Sequence, residues 1–173
     1  MSDQIEKAIS VLIGKKLWRC TRAADLAAFQ FGERIPSKTY EGEPCEVGEF
    51  ALHVQCSWRI VRHQQVIVAR GDLYYPAGYQ SQGEAIPRDF HWDVQGANRQ
   101  DRLIRDFFRN GSQTFVVQRV EAGNAGAFLL ALAGDFALEV FPDDSLEGEH
   151  WRLFTPGGDG PHFVVTGTGI ELH

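Results

Sequence analysis

What this chain lacks narrows it before any motif is read. Its three cysteines, Cys20, Cys45 and Cys56, are scattered over 173 residues with no CxxC spacing. An odd, dispersed set of thiols offers no disulfide framework and suits a reducing compartment, so a cytoplasmic protein is expected. No apolar run approaches the roughly 20 residues of a membrane-spanning helix, and the opening MSDQIEKAIS has no apolar signal core. Positive charge is also short: 17 Lys and Arg stand against 23 Asp and Glu, for a formal net charge of −6. Nucleic-acid binding demands a concentrated positive face. That class drops out, and a basic protein partner is favoured instead.

Catalytic signatures are missing as well. The sequence contains no GxSxG, no GxxxxGK[ST] and no HExxH, which removes the usual nucleophile elbow, phosphate loop and zinc-protease helix. GGDG at 157–160 and GTG at 167–169 lie between strand-like segments rather than between a strand and a helix, so they read as turns. No cofactor is expected.

What is present describes one globular unit. A chain of this length buries about 70% of its unfolded surface without a metal or disulfide staple, and a single domain over residues 1–173 is expected. Ile5, Ala8, Ile9, Leu12 and Ile13 repeat at the helical period, predicting a helix over 2–13 with Ser2 as its cap and Gly14 as its stop. Such a stripe suits packing over a sheet edge and equally allows a homodimer. A hairpin is expected from KKLWRC and LAAFQF. Residues 32–48, GERIPSKTYEGEPCEVG, read as a polar loop.

From Glu49 onward Phe50, Leu52, Val54 and Cys56 alternate with polar neighbours, the period of a strand with one buried face. A second strand is expected at 65–70. NRQDRLIRDFFR at 98–109 is the clearest helix, with Asn98 as cap, a stripe of Leu103, Ile104, Phe107 and Phe108, and Asp101–Arg105 and Arg102–Asp106 as surface pairs. Asn110-Gly111 should stop it. Six short strands follow, separated by Gly- and Asp-rich turns, the pattern of an antiparallel meander. The expected class is α+β: a mainly antiparallel sheet, meander-rich in its C-terminal half, with an N-terminal helix and one central helix.

Four groups of residues are candidates for chemistry. Cys56 sits on the apolar face of its strand, where a thiol behaves as a small hydrophobe rather than a nucleophile. His53 falls on the opposite face, so a His53–Cys56 pair is geometrically poor. Trp58-Arg59 and Trp151-Arg152 repeat one dipeptide. A ligand pocket with aromatic lining and two arginines bracing an anion would use all four. The plainer reading places both indoles in the core and both guanidiniums on carboxylates. His150 and His162 belong to adjacent strands and could face each other beside Glu149 or Asp159, but no metal-ligand spacing is present, and no metal is expected. Turn aspartates such as Asp72 satisfy their own backbone as readily as they do acid–base work.

ALHVQCSWRIV, GDLYYP and EHWRLFTPGGDGPHFVV together resemble a set of bacterial domains of unknown function. The likeness covers most of residues 49–172 and is strongest in the Cys-x-Trp-Arg and Glu-x-Trp-Arg-Leu-Phe segments. It implies a bacterial single-domain protein and brings no activity, cofactor or catalytic residue. Small acidic α+β domains of this kind include immunity proteins that neutralise toxins, a likeness at the level of class.

The expectation is therefore a non-catalytic module that binds another protein, with aromatic residues at 12% of the chain to build an interface. The alternatives are a small-molecule binder lined by Trp58, Arg59, Trp151 and Arg152, and a hydrolase using His53, Asp72 or His150.

Overall fold

A computed structural model describes residues 1–109 and 114–172. The helix stop at Asn110-Gly111 lies outside the described residues. The first helix, α1 (Ser2–Ile9), continues as a 3-10 turn over Ser10–Leu12. Ile5, Ile9 and Leu12 are fully buried, whereas Ile13 points outward. Ser2 caps nothing; its hydroxyl donates to the Gly123 carbonyl.

Eleven strands follow: β1 (Lys16–Ala23), β2 (Leu26–Lys38), β3 (Pro44–Val54), β4 (Ser57–Arg62), β5 (Gln65–Ala69), β6 (Phe115–Ala122), β7 (Phe128–Leu132), β8 (Phe136–Phe141), β9 (Glu149–Phe154), β10 (Phe163–Thr166) and β11 (Ile170–Leu172). The second helix, α2 (Arg99–Arg109), separates β5 from β6. The class is α+β with an antiparallel sheet, as the sequence predicts.

The strand order is β11-β10-β9-β3-β2-β1-β6-β7-β8-β4-β5. Its narrowest join is β1 to β6, which pair only at Lys16↔Val116 and Leu17↔Phe115. That join divides the sheet into two wings. The wings close on one another through aromatic contacts: Phe29 of β2 meets Trp58 of β4 edge-on at 5.1 Å, and Phe128 of β7 meets Trp151 of β9 at 4.8 Å. The Trp151 indole also donates to the Gly126 carbonyl at 2.8 Å. One hydrophobic cluster runs through both wings.

The stretch 49–62 is not one strand. It changes wing at Gln55-Cys56, whose two amides both donate to the His150 carbonyl, at 2.7 and 3.2 Å. The C-terminal strands likewise do not form one meander. β6, β7 and β8 form one and β9, β10 and β11 another; β8 pairs with β4, and the chain crosses to insert β9 beside β3.

Helix α2 packs on β5 and β1. Asn98 caps it, accepting from the Asp101 amide at 2.8 Å. Asp101 does not pair with Arg105: its carboxylate takes the buried guanidinium of Arg22 at 2.8 and 2.9 Å and the amide of Gly96 at 2.7 Å. Arg105 lies nearest to Asp106, at 3.8 Å.

Candidate interaction site: the β2–β3 arm and the cleft at its root

Residues 32–48 are not a loop. β2 and β3 continue as a paired ribbon from Arg34↔Gly48 to Lys38↔Pro44. The ribbon closes on Thr39, whose amide donates to the Glu43 carbonyl at 2.8 Å, with Gly42 at φ +85°. β1 stops pairing with β2 at Leu17↔Phe31, and β9 stops pairing with β3 at Ala51↔Phe154. Beyond those points the ribbon is an arm with no neighbouring strand on either edge among the described residues. Residues 33–44 are exposed throughout, and Tyr40 at the tip is fully so.

The Thr39–Glu43 bond sets the alternation of the arm. In an antiparallel ladder hydrogen-bonded and non-bonded pairs alternate, so Ser37/Cys45 and Ile35/Val47 are bonded pairs. Pro36/Glu46 and Lys38/Pro44 are therefore the pairs whose amide positions face the open edges. Each strand thus carries a proline where an outward N–H would otherwise stand, and a proline there removes the donor that an incoming strand would need. The same alternation sorts the side chains into two faces. One face presents Ile35, Ser37, Cys45 and Val47, and the other Arg34, Pro36, Lys38 and Glu46.

Two bulges make the root of the arm. The β1–β2 register shifts between Leu17 and Arg19, and the β2–β3 register between Phe31 and Arg34. Bulges of this kind bend a strand and re-aim its side chains. Gly32 sits at φ +79°, and a Cβ there would lie 2.5 Å from a Glu49 oxygen; a Cβ on Gly48 would lie 2.7 Å from the carbonyls of Phe31 and Phe50. The Gly48 amide is taken by the buried side-chain oxygen of Gln30 at 2.7 Å.

The result is an open cleft of about 490 Å³ walled by Lys15, Lys16, Trp18, Glu33, Arg34 and Glu49. Lys15 reaches both oxygens of Glu49 at 2.7 and 2.8 Å, and its hydrogen bond holds the Glu49 carboxyl below the usual carboxylate range. The Arg34 guanidinium lies 4.6 Å above the Trp18 ring, whose buried N–H has no partner among the described residues.

The structure places the sequence-derived residues elsewhere. Trp58 and Trp151 are in the core at 2% and 0% exposure. Arg59 points away from it, 2.5 Å from Glu139 and stacked over Phe141. Arg152 pairs with Glu149 and comes within 3.4 Å of His162. The four side chains divide between the core and two ion pairs, one on each wing. His53 lies across from Arg152 and edge-on to Phe154 at 4.8 Å. Burial, and then the Arg152 charge, lowers its pKa.

Asp72 is engaged by the Ala69 amide and the Arg99 guanidinium, at 2.9 and 3.0 Å. His150 is buried with Nε2 at 3.1 Å from the Asp144 carbonyl, and it does not face His162, which stacks on Phe154. Among the described residues none of His53, Asp72 and His150 is hydrogen-bonded to another. Asp143, Asp144 and His150 bring ligand atoms within 4.8 Å of one another, but Asp143 is taken by the Ser57 hydroxyl at 2.5 Å and His150 faces a turn carbonyl. Burial pushes the Cys56 thiol up to about 12 and the Cys20 thiol higher still. Neither is an activated nucleophile.

Sequence reasoning missed the arm because two prolines and three glycines read as loop signals. The signal that could have found it is positional: apolar Ile35 and Val47, equidistant from a Thr39-to-Glu43 turn. Among the described residues no helix is long and apolar enough to cross a membrane. No family model, curated protein or solved structure matches this chain.

Proposed function

We propose that the chain is a non-catalytic protein-binding module of the bacterial cytoplasm that engages its partner through the β2–β3 arm. The observation that carries the reading is a paired ribbon extending beyond its neighbouring strands, with Ile35 exposed and Val47 half-buried on one face. A two-stranded hairpin on its own is marginally stable, and ordering it costs backbone entropy that core burial does not offset here. Partner binding supplies the missing burial. The inert Cys20 and Cys56 thiols and the dispersed His53, Asp72 and His150 support a non-catalytic role, and the acidic balance favours a basic partner, with toxin neutralisation as one version.

The test replaces residues 34–47 with an Asn-Gly turn and compares complexes isolated from the producing cells by native mass spectrometry. The shortened chain should fold and lose a partner mass that the full chain retains. Retention of that mass by the shortened chain would sink the arm as the interface. A small-molecule role draws on a second observation, Arg152 gathered with His53, His162 and Phe154. Retained non-protein mass that Arg152→Ala abolishes without unfolding would move the assignment there.

A further inference from the structure

We infer that the arm docks by its Ile35–Val47 face, not by its edges, into an apolar groove rimmed by lysine or arginine on a different protein. The inference rests on the protein-binding reading and adds the face used and the chemistry of the partner. Three features select the face. Pro36 and Pro44 blunt the two edges, so strand addition, which takes its affinity from main-chain hydrogen bonds, loses a donor on each edge and keeps only those of Lys38 and Glu46 beside it. The opposite face is already engaged, with Arg34 lying over Trp18 and reaching Glu46 at 3.4 Å. What remains is a face of Ile35, Val47, Ser37 and Cys45, small and free of charge.

Charge selects the partner. Glu33 at the root and Glu41 and Glu43 at the tip have no ion pair among the described residues. They frame the apolar face with carboxylates that a cationic rim would satisfy. A second copy would instead meet another arm bearing four glutamates and two cations, on a chain of net charge −6. Like charges across an interface cost affinity, and self-association is disfavoured.

The experiment places the photo-crosslinker p-benzoylphenylalanine singly at Ile35, Tyr40 and Lys38 of the full chain in the producing cells and sequences the adducts. Adducts at Ile35 and Tyr40, absent at Lys38, on a segment of another protein where apolar residues adjoin Lys or Arg, are expected. Adducts at Lys38 alone would overturn the choice of face while leaving the arm as a binding element. An adduct with a second copy of the chain would overturn the choice of partner. No adduct at any of the three positions would remove the arm reading altogether. With the captured partner in hand, Glu41→Gln/Glu43→Gln should slow association by about tenfold at low salt; an unchanged rate would rule out the basic rim.

Discussion

Ala24 and Asp25 alone join β1 to β2, with Ala23↔Leu26 as the last pair, and Ala24 sits at φ +52°. Two-residue hairpin loops of this kind favour Asn or Gly where φ is positive, because a Cβ crowds the following carbonyl in the left-handed region. Ala24→Gly should therefore raise stability by about 0.5–1 kcal/mol, the relief of strain outweighing the added freedom of the unfolded chain. Urea unfolding of the variant checks it, and a loss of stability would show that the strain is absorbed elsewhere. His53 makes a prediction with a sign. Its folded pKa lies below its ordinary 6.5 because burial and the Arg152 charge disfavour the imidazolium, with Glu149 opposing and His162 adding to the effect. Between the two values the unfolded chain binds more protons, so this contribution is complete above pH 6.5 and is lost as the pH falls toward the folded pKa. His53→Gln should flatten that part of a melting-temperature profile taken from pH 7.5 to 5; an unchanged slope would assign it to other groups.

Among the elements, the arm makes the sharpest claim. If Pro36 and Pro44 stand where outward amides would be, replacing both with valine restores two edge donors and adds strand propensity. The double variant should fold as the parent does and self-associate with rising concentration, read by analytical ultracentrifugation. A strictly monodisperse variant at the parent's mass would mean that the edges are guarded by something other than proline. The arm also shows how far element boundaries were legible. The hairpin, the 98–109 helix and each C-terminal strand follow from alternation and helical period, which are properties of neighbouring residues. Residues 32–48 read as loop because proline and glycine usually punctuate strands. Here the prolines sit on the open edges, and Gly32 and Gly48 fill bulges where a Cβ would strike Glu49 or the Phe31 backbone.

For the molecule as a whole, the pair Arg22–Asp101 ties what the chain separates. Arg22 of β1 is 2% exposed at its side chain and binds Asp101 at the start of α2 as well as the carbonyls of Trp92, Asp93 and Val94. It thereby fixes the 92–97 segment and α2 to the first wing. Asp101→Ala would strand a buried guanidinium and should cost about 3–5 kcal/mol, measured by denaturant unfolding. A loss below about 1 kcal/mol, the scale of an exposed pair, would show that water replaces the carboxylate.

The amino-acid sequence by itself determined the α+β class, the two helices and most of the strands outside residues 32–48, because period and turn chemistry act between residues a few positions apart. It also placed Cys56 on an apolar face, while Trp58 and Trp151 stayed open between a ligand pocket and the core. The tertiary structure decided the pairings β3–β9 and β8–β4, the change of wing at Gln55-Cys56, the partners of Arg59, Arg152 and Asp101, and the projection of the arm. Those choices depend on which buried faces meet when Phe29 reaches Trp58 and Phe128 reaches Trp151. Contacts of that kind join residues far apart in the chain, and no local pattern specifies them.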